Sequence, residues 1–215
     1  APEARKHYIK FYGDSLTAGY SNIATKDYPT DQEGDAIYQD ATQTYAFIAS
    51  EALNADCSIL AKSGTGLARG YVNNYNNNIW NFFSKTSYPR GDEAFDFRGA
   101  RVPDLVVIHL GANDYANDAS KDRFVSKGKE LVDNIEKGYG YNKTIPIIWA
   151  YDPGEQVPTS WMQEILNYYN STYNGQTYMI SLEWRSTGKI NGHPNGKGHE
   201  KNAKELVDLI VKNNL

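Results

Sequence analysis

DLVVIHLGAND, residues 104–114, carries an apolar run with no polar alternation, interrupted only by His109 and closed by a glycine. A strand with one wet face alternates polar and apolar side chains, whereas a strand covered on both faces does not. The run therefore reads as the central strand of a parallel sheet. Four other short runs read as strands: HYIKFY at 7–12, CSILAKS at 57–63, TIPIIWAY at 144–151 and TYMISLE at 177–183. Between them, apolar residues recur at helical spacing. The stripes are Tyr45, Ile48, Ala49, Ala52 and Leu53; Phe124, Gly128, Leu131 and Ile135; Met162, Ile165, Leu166 and Tyr169; and Ala203, Leu206, Val207 and Ile210. Strands alternating with helices require right-handed crossovers. The expected fold is α/β: a three-layer α/β/α sandwich on a mostly parallel five-stranded sheet.

The 215 residues show no break in composition, so a single domain spanning 1–215 is expected. Residues 21–43 and 71–98 fit no regular pattern and read as long loops leaving strand ends, placed to wall a cleft. A net charge of −4 argues against a nucleic-acid partner, which would require a basic surface. No apolar stretch approaches the roughly 20 residues that cross a bilayer, so no membrane partner is expected either. The single cysteine, Cys57, excludes an intrachain disulfide and reads as a buried thiol in a strand. The chain begins APEARK without Met or an apolar leader, as a processed secreted protein or an excised piece would. NKT at 142–144 and NST at 170–172 are glycosylation sequons of the kind that also arise by chance. Seventeen tyrosines and four tryptophans supply rings with polar tips, suited to stacking on sugars as well as to half-buried packing.

Ligands of parallel α/β sheets bind beyond the carboxyl ends of the strands. The first strand ends at Gly13-Asp14-Ser15-Leu16, where a serine opens a helix; Thr17 spoils the GxSxG nucleophile elbow, and a simple capping serine is the alternative. The second ends at Ser63-Gly64-Thr65-Gly66. The run 64–69, GTGLAR, has Arg69 where a dinucleotide fingerprint needs glycine, and no phosphate-loop lysine follows. The third ends at Gly111-Ala112-Asn113-Asp114, whose amide could donate to an oxyanion or close an Asx-turn. NGHPNGKGHE at 191–200 precedes the last helix and sets His193 in a rigid loop; His7 and His109 lie in strands and His199 at the helix entry, leaving His193 the best base.

GDSL at 13–16, the glycine of SGTG at 64, GAND at 111–114 and HPNGKGH at 193–199 resemble, in order, the four blocks of the SGNH, or GDSL, hydrolase superfamily, whose fold is flavodoxin-like. RKHYIKFYGDSLTAGY and PDLVVIHLGANDY are similar to the catalytic domain of carbohydrate esterase family 2, whose members deacetylate plant polysaccharides. The resemblance implies Ser15 as nucleophile, His193 as base, and the Ser15 N–H, Gly64 N–H and Asn113 amide as oxyanion donors. It also implies a serine esterase acting on acetylated oligo- or polysaccharide such as acetylated xylan, through an acyl-serine. No cofactor is expected: His193 and His199 do not form HExxH, and Asp31, Glu33 and Asp35 do not form a calcium loop.

The chain departs from that pattern at Ile190, where the superfamily carries the acid of DxxH. Either Asp152 or Glu183 folds in, or a main-chain carbonyl near residue 190, that of Ile190 itself, orients the His193 ring; the carbonyl is favoured. The β-sandwich domain common in that esterase family has no counterpart in this sequence. Two other functions compete: an esterase for lipids or thioesters, and a carbohydrate-binding protein that has lost catalysis and uses Tyr20, Tyr71, Tyr115, Trp80 and Trp184. A secreted monomer is expected.

Overall fold

The computed structural model describes residues 3–29, 35–71, 77–86, 93–140, 144–154 and 156–215. Asp31, Glu33 and the first two residues of the sequon at 142–144 lie outside them, as do parts of both long loops. Five strands form one parallel sheet: β1 (His7–Gly13), β2 (Ala55–Ala61), β3 (Leu105–His109), β4 (Ile147–Tyr151) and β5 (Thr177–Ser181), in the order β2-β1-β3-β4-β5. This order reverses at β1, so the crevice beyond the carboxyl ends of β1 and its neighbours is the topological switch point.

Helices cover both faces, which is why β3 is apolar throughout. Val106 and Ile108 join one core with Tyr12 of β1, Phe124, Leu131 and Ile135 of α4 (Lys121–Tyr139), and Met162, Ile165 and Tyr169 of α5 (Thr159–Tyr173). Leu105 and Val107 join the other with Ile9 and Phe11, Tyr45, Ala46 and Ala49 of α2 (Tyr45–Ala52), and Ala203, Leu206 and Ile210 of α6 (Gly196–Asn213). Alternation along β1 and β3 thus survives as a choice between two cores. Gly128 lets α4 close on α5: a Cβ there would stand 2.1 Å from Ile165 Cδ1. Truncating a side chain such as Leu131 in these cores would cost about 2–5 kcal/mol.

Three expectations shift. In α2 the buried positions are Tyr45, Ala46, Ala49 and Ser50, while Ala52 is exposed, because the helix stops there and Leu53 caps it. Cys57 is half-buried, since β2 is an edge strand. Trp184 is fully buried, in a 3-10 turn that packs under α6, so it offers no sugar platform.

Candidate active site

At the end of β1 the chain turns straight into a single helical turn, α1 (Ser15–Ala18). Asp14 caps it, its Oδ1 accepting the Leu16 N–H at 2.9 Å, and Ser15 sits at the first helical position, almost buried. At the far end of the sequence, β6 (Lys189–Ile190) and β7 (His193–Pro194) pair as a hairpin closed by Asn191 and Gly192, both at positive φ (+49° and +75°). Asn-Gly suits a two-residue turn that needs this conformation twice. The hairpin projects His193 so that its Nε2 lies 2.8 Å from Ser15 Oγ, while Tyr20, two residues past α1, packs its ring 4.8 Å from the imidazole centroid.

The His193 Nδ1 faces the carbonyl of Asn191 at 2.8 Å. The group that meets this ring nitrogen is therefore a main-chain carbonyl, but that of Asn191 and not that of Ile190. Ile190 pairs with His193 across the hairpin, so its backbone groups belong to the ladder, and the turn residue between them meets the ring. Of the two acids considered for this role, Asp152 is held by Arg185 through bonds of 3.1 and 2.8 Å, and Glu183 is exposed, its N–H given to Glu205.

The loop after β2 brings Gly64 to the same cleft in the left-handed region (φ +77°). A Cβ there would stand 2.8 Å from Asn77 Nδ2 and 3.1 Å from Tyr71 Cβ, so glycine is required. Asn113 is the second residue of α3 (Ala112–Ala116), which follows β3, and its Nδ2 donates to the Thr65 carbonyl at 2.9 Å and to Asp14 Oδ2 at 3.2 Å. Both amide protons therefore have protein acceptors, and the longer contact, to Asp14, is the one more readily given up. Burial pushes the Asp14 carboxyl up to about 7, against the lowering effect of the Leu16 N–H.

Asp114, beside Asn113, escaped sequence reasoning. Its side chain is fully buried and accepts three backbone N–H groups, from Leu67 (2.8 Å), Ala68 (2.7 Å) and Arg69 (2.8 Å). It ties the loop that carries Gly64 to the end of β3. The only sequence signal was its place next to Asn113 in GAND. Burial raises its carboxyl to about 6 even against those bonds.

The expected residues Ser15, Gly64, Asn113 and His193 all line one cleft of about 310 Å³, with Tyr20, Ser63, Tyr71, Asn77 and Asn191. The other histidines lie elsewhere. His109 is buried behind the site with Nδ1 3.2 Å from the Tyr45 hydroxyl, and His199 sits within α6, its Nδ1 accepting the Tyr45 N–H at 3.1 Å. Burial lowers them to about 3 and about 4, so both are neutral at neutral pH. Among the described residues no cluster of His, Cys, Asp and Glu could hold a metal ion, and no helix is long and apolar enough to cross a membrane.

A parallel sheet of this order, with a serine, an imidazole, a glycine turn and an asparagine amide gathered at its switch point, is the architecture of the SGNH hydrolases. The chain belongs to the GDSL-like lipase/acylhydrolase family, which matches residues 9–206. It is 29% identical to the cellulase/esterase CelE of Acetivibrio thermocellus, over 100% of this chain and 26% of that protein. Over 52% of the chain it is 32% identical to an acetylxylan esterase/glucomannan deacetylase of Cellvibrio japonicus, covering 31% of that protein. Among solved structures, a family two carbohydrate esterase from Clostridium thermocellum, in complex with cellohexaose, superposes with a TM-score of 0.86 at 27% identity, over 99% of this chain and 66% of that one. The chain thus spans about a quarter to a third of the length of these curated relatives.

Proposed function

We propose that the chain is a carboxylic ester hydrolase that removes O-acetyl groups from carbohydrates such as acetylated xylan, with residues 1–215 forming one hydrolase domain. The observation that carries this reading is the 2.8 Å contact between His193 Nε2 and Ser15 Oγ inside a cleft that also presents Gly64 and Asn113. His193 takes the Ser15 proton as Oγ attacks the acetyl carbonyl. The carbonyl oxygen becomes an oxyanion that draws on the Ser15 and Gly64 N–H groups and on the Asn113 amide, which gives up its bond to Asp14. Collapse expels the sugar alkoxide, which takes the proton from His193 and leaves acetyl-Ser15. A water molecule, deprotonated by His193, then releases acetate and restores the serine. The Asn191 carbonyl holds the ring in the tautomer that leaves Nε2 free to accept.

The substrate class rests on the cleft and on the relatives. Ser63, Asn77 and Asn191 give the walls hydrogen-bonding groups suited to hydroxylated substrates, and the exposed Tyr71 ring stands at the cleft. A relative named for acetylxylan and glucomannan, and a similar structure holding cellohexaose, support polysaccharide over lipid. A polymeric substrate of this kind is met outside the cell, so a secreted monomer completes the proposal. The test is acetate release from acetylated xylan and acetylated glucomannan compared with long-chain acyl esters, with mass spectrometry of the fluorophosphonate-labelled peptide. Labelling at Ser15 and preference for the acetylated glycans support the reading; a label elsewhere, or acetate release no faster than from the S15A protein, overturns it.

A further inference from the structure

Asn191, whose carbonyl orients His193, is gripped on two other atoms by a loop from the opposite end of the chain. Its backbone N–H donates to Asp27 Oδ1 at 2.7 Å, across 164 residues, and its Oδ1 accepts the Tyr28 N–H at 3.2 Å. The loop is anchored in turn: the Tyr28 hydroxyl meets Ser21 Oγ at 2.8 Å, its ring packs 4.2 Å from that of Tyr38, and Ser21 is fully buried three residues past α1. The segment that leaves Ser15 therefore bends back to hold the peptide that aims the imidazole at Ser15.

We propose that Asp27 is a positioning residue for His193, acting through the Asn191 backbone. Asn191 must keep a left-handed conformation (φ +49°) for its carbonyl to face Nδ1, a conformation that non-glycine residues adopt at a cost. An acceptor on its N–H and a donor on its side chain fix that conformation from both sides. The superfamily's acid position holds Ile190, so in this chain a carboxylate enters the base's surroundings from residue 27, one residue removed from the ring.

This proposal rests on the reading of His193 as the base, and the experiment separates the two. Asp27 is exposed, so D27A leaves both cores intact. With a small aryl acetate, D27A is expected to lose about ten-fold in kcat with KM within about two-fold, as a slightly misaimed base would. D27N, which keeps an oxygen for the Asn191 N–H, is expected to recover most of the loss. In ¹⁵N-histidine spectra of the free protein, the Nδ1–H tautomer of His193 should dominate in the wild type and D27N and become mixed in D27A. Wild-type kcat and an unchanged His193 spectrum in D27A would overturn the proposal, as would a D27N protein no better than D27A. A wild type that cleaves no ester sinks the esterase reading, while the ring spectra still decide the role of Asp27.

Discussion

Ser15 and His193 stand 178 residues apart in the chain, yet their Oγ and Nε2 atoms are 2.8 Å apart. One sits just past the carboxyl end of a central strand and the other on the strand that follows a two-residue hairpin turn, so neither depends on the other for its place.

Removing either partner should therefore abolish turnover without unfolding the protein. S15A and H193A are each expected to lower kcat by about 10⁴-fold or more, with melting temperatures close to wild type. Steady-state kinetics with parallel thermal melts check both halves, and a mutant retaining a tenth of the activity would contradict the pairing.

Asn113 tests the oxyanion assignment. Asn113→Ala is expected to lower kcat by about 10²–10³, equivalent to about 2.7–4 kcal/mol of barrier, with KM little changed. Because Nδ2 also holds the Thr65 carbonyl, a stability loss on the order of 1 kcal/mol should accompany it. Kinetics and urea unfolding of one preparation separate these effects.

Asp114 should show the reverse balance. Asp114→Ala leaves three N–H groups of residues 67–69 without their acceptor, at about 1–3 kcal/mol for each that stays buried. Loss of about 3 kcal/mol or more in urea unfolding is expected, together with a fall in kcat as the Gly64 turn loosens. Asp114→Asn, which keeps one acceptor, should lie between.

The buried histidines set a pH dependence whose sign is fixed. His199 titrates near 4 when folded against about 6.5 when unfolded, so its contribution is complete above about 6.5 and is lost as pH falls toward 4. In His199→Asn, Oδ1 can replace Nδ1 as acceptor for the Tyr45 N–H, but the side chain takes up no proton. The stability advantage of wild type over this variant should shrink between pH 6.5 and 4 and stay flat from 7 to 8. Chemical denaturation across that range measures it.

The parallel sheet was legible because burial on both faces leaves an unmistakable apolar run at 105–108, and the stripes of α4 and α5 fell on the buried residues. The sequence pattern places the edge strand β2 two residues late, since half-buried side chains blur the pattern. Trp184 misled because a polar-tipped ring does not reveal which side of it meets protein. Asp114 and Asp27 leave no trace in the sequence because each accepts backbone N–H groups of residues far along the chain, and Asn191 because it meets the His193 ring through its own main-chain carbonyl; main-chain partners leave no mark in side-chain composition.

By itself the sequence determined the layer architecture and the residue types at each strand end, since hydrophobic periodicity and turn chemistry are local. Only the tertiary structure decided what those ends do to one another: that the carbonyl facing His193 Nδ1 belongs to Asn191 rather than Ile190, that Asn113 already serves Asp14 and Thr65, and that a loop beginning beside the serine holds the Asn191 peptide. Hydrogen bonds act over about 3 Å, and which atoms come that close follows from strand order and turn geometry, which local sequence does not encode.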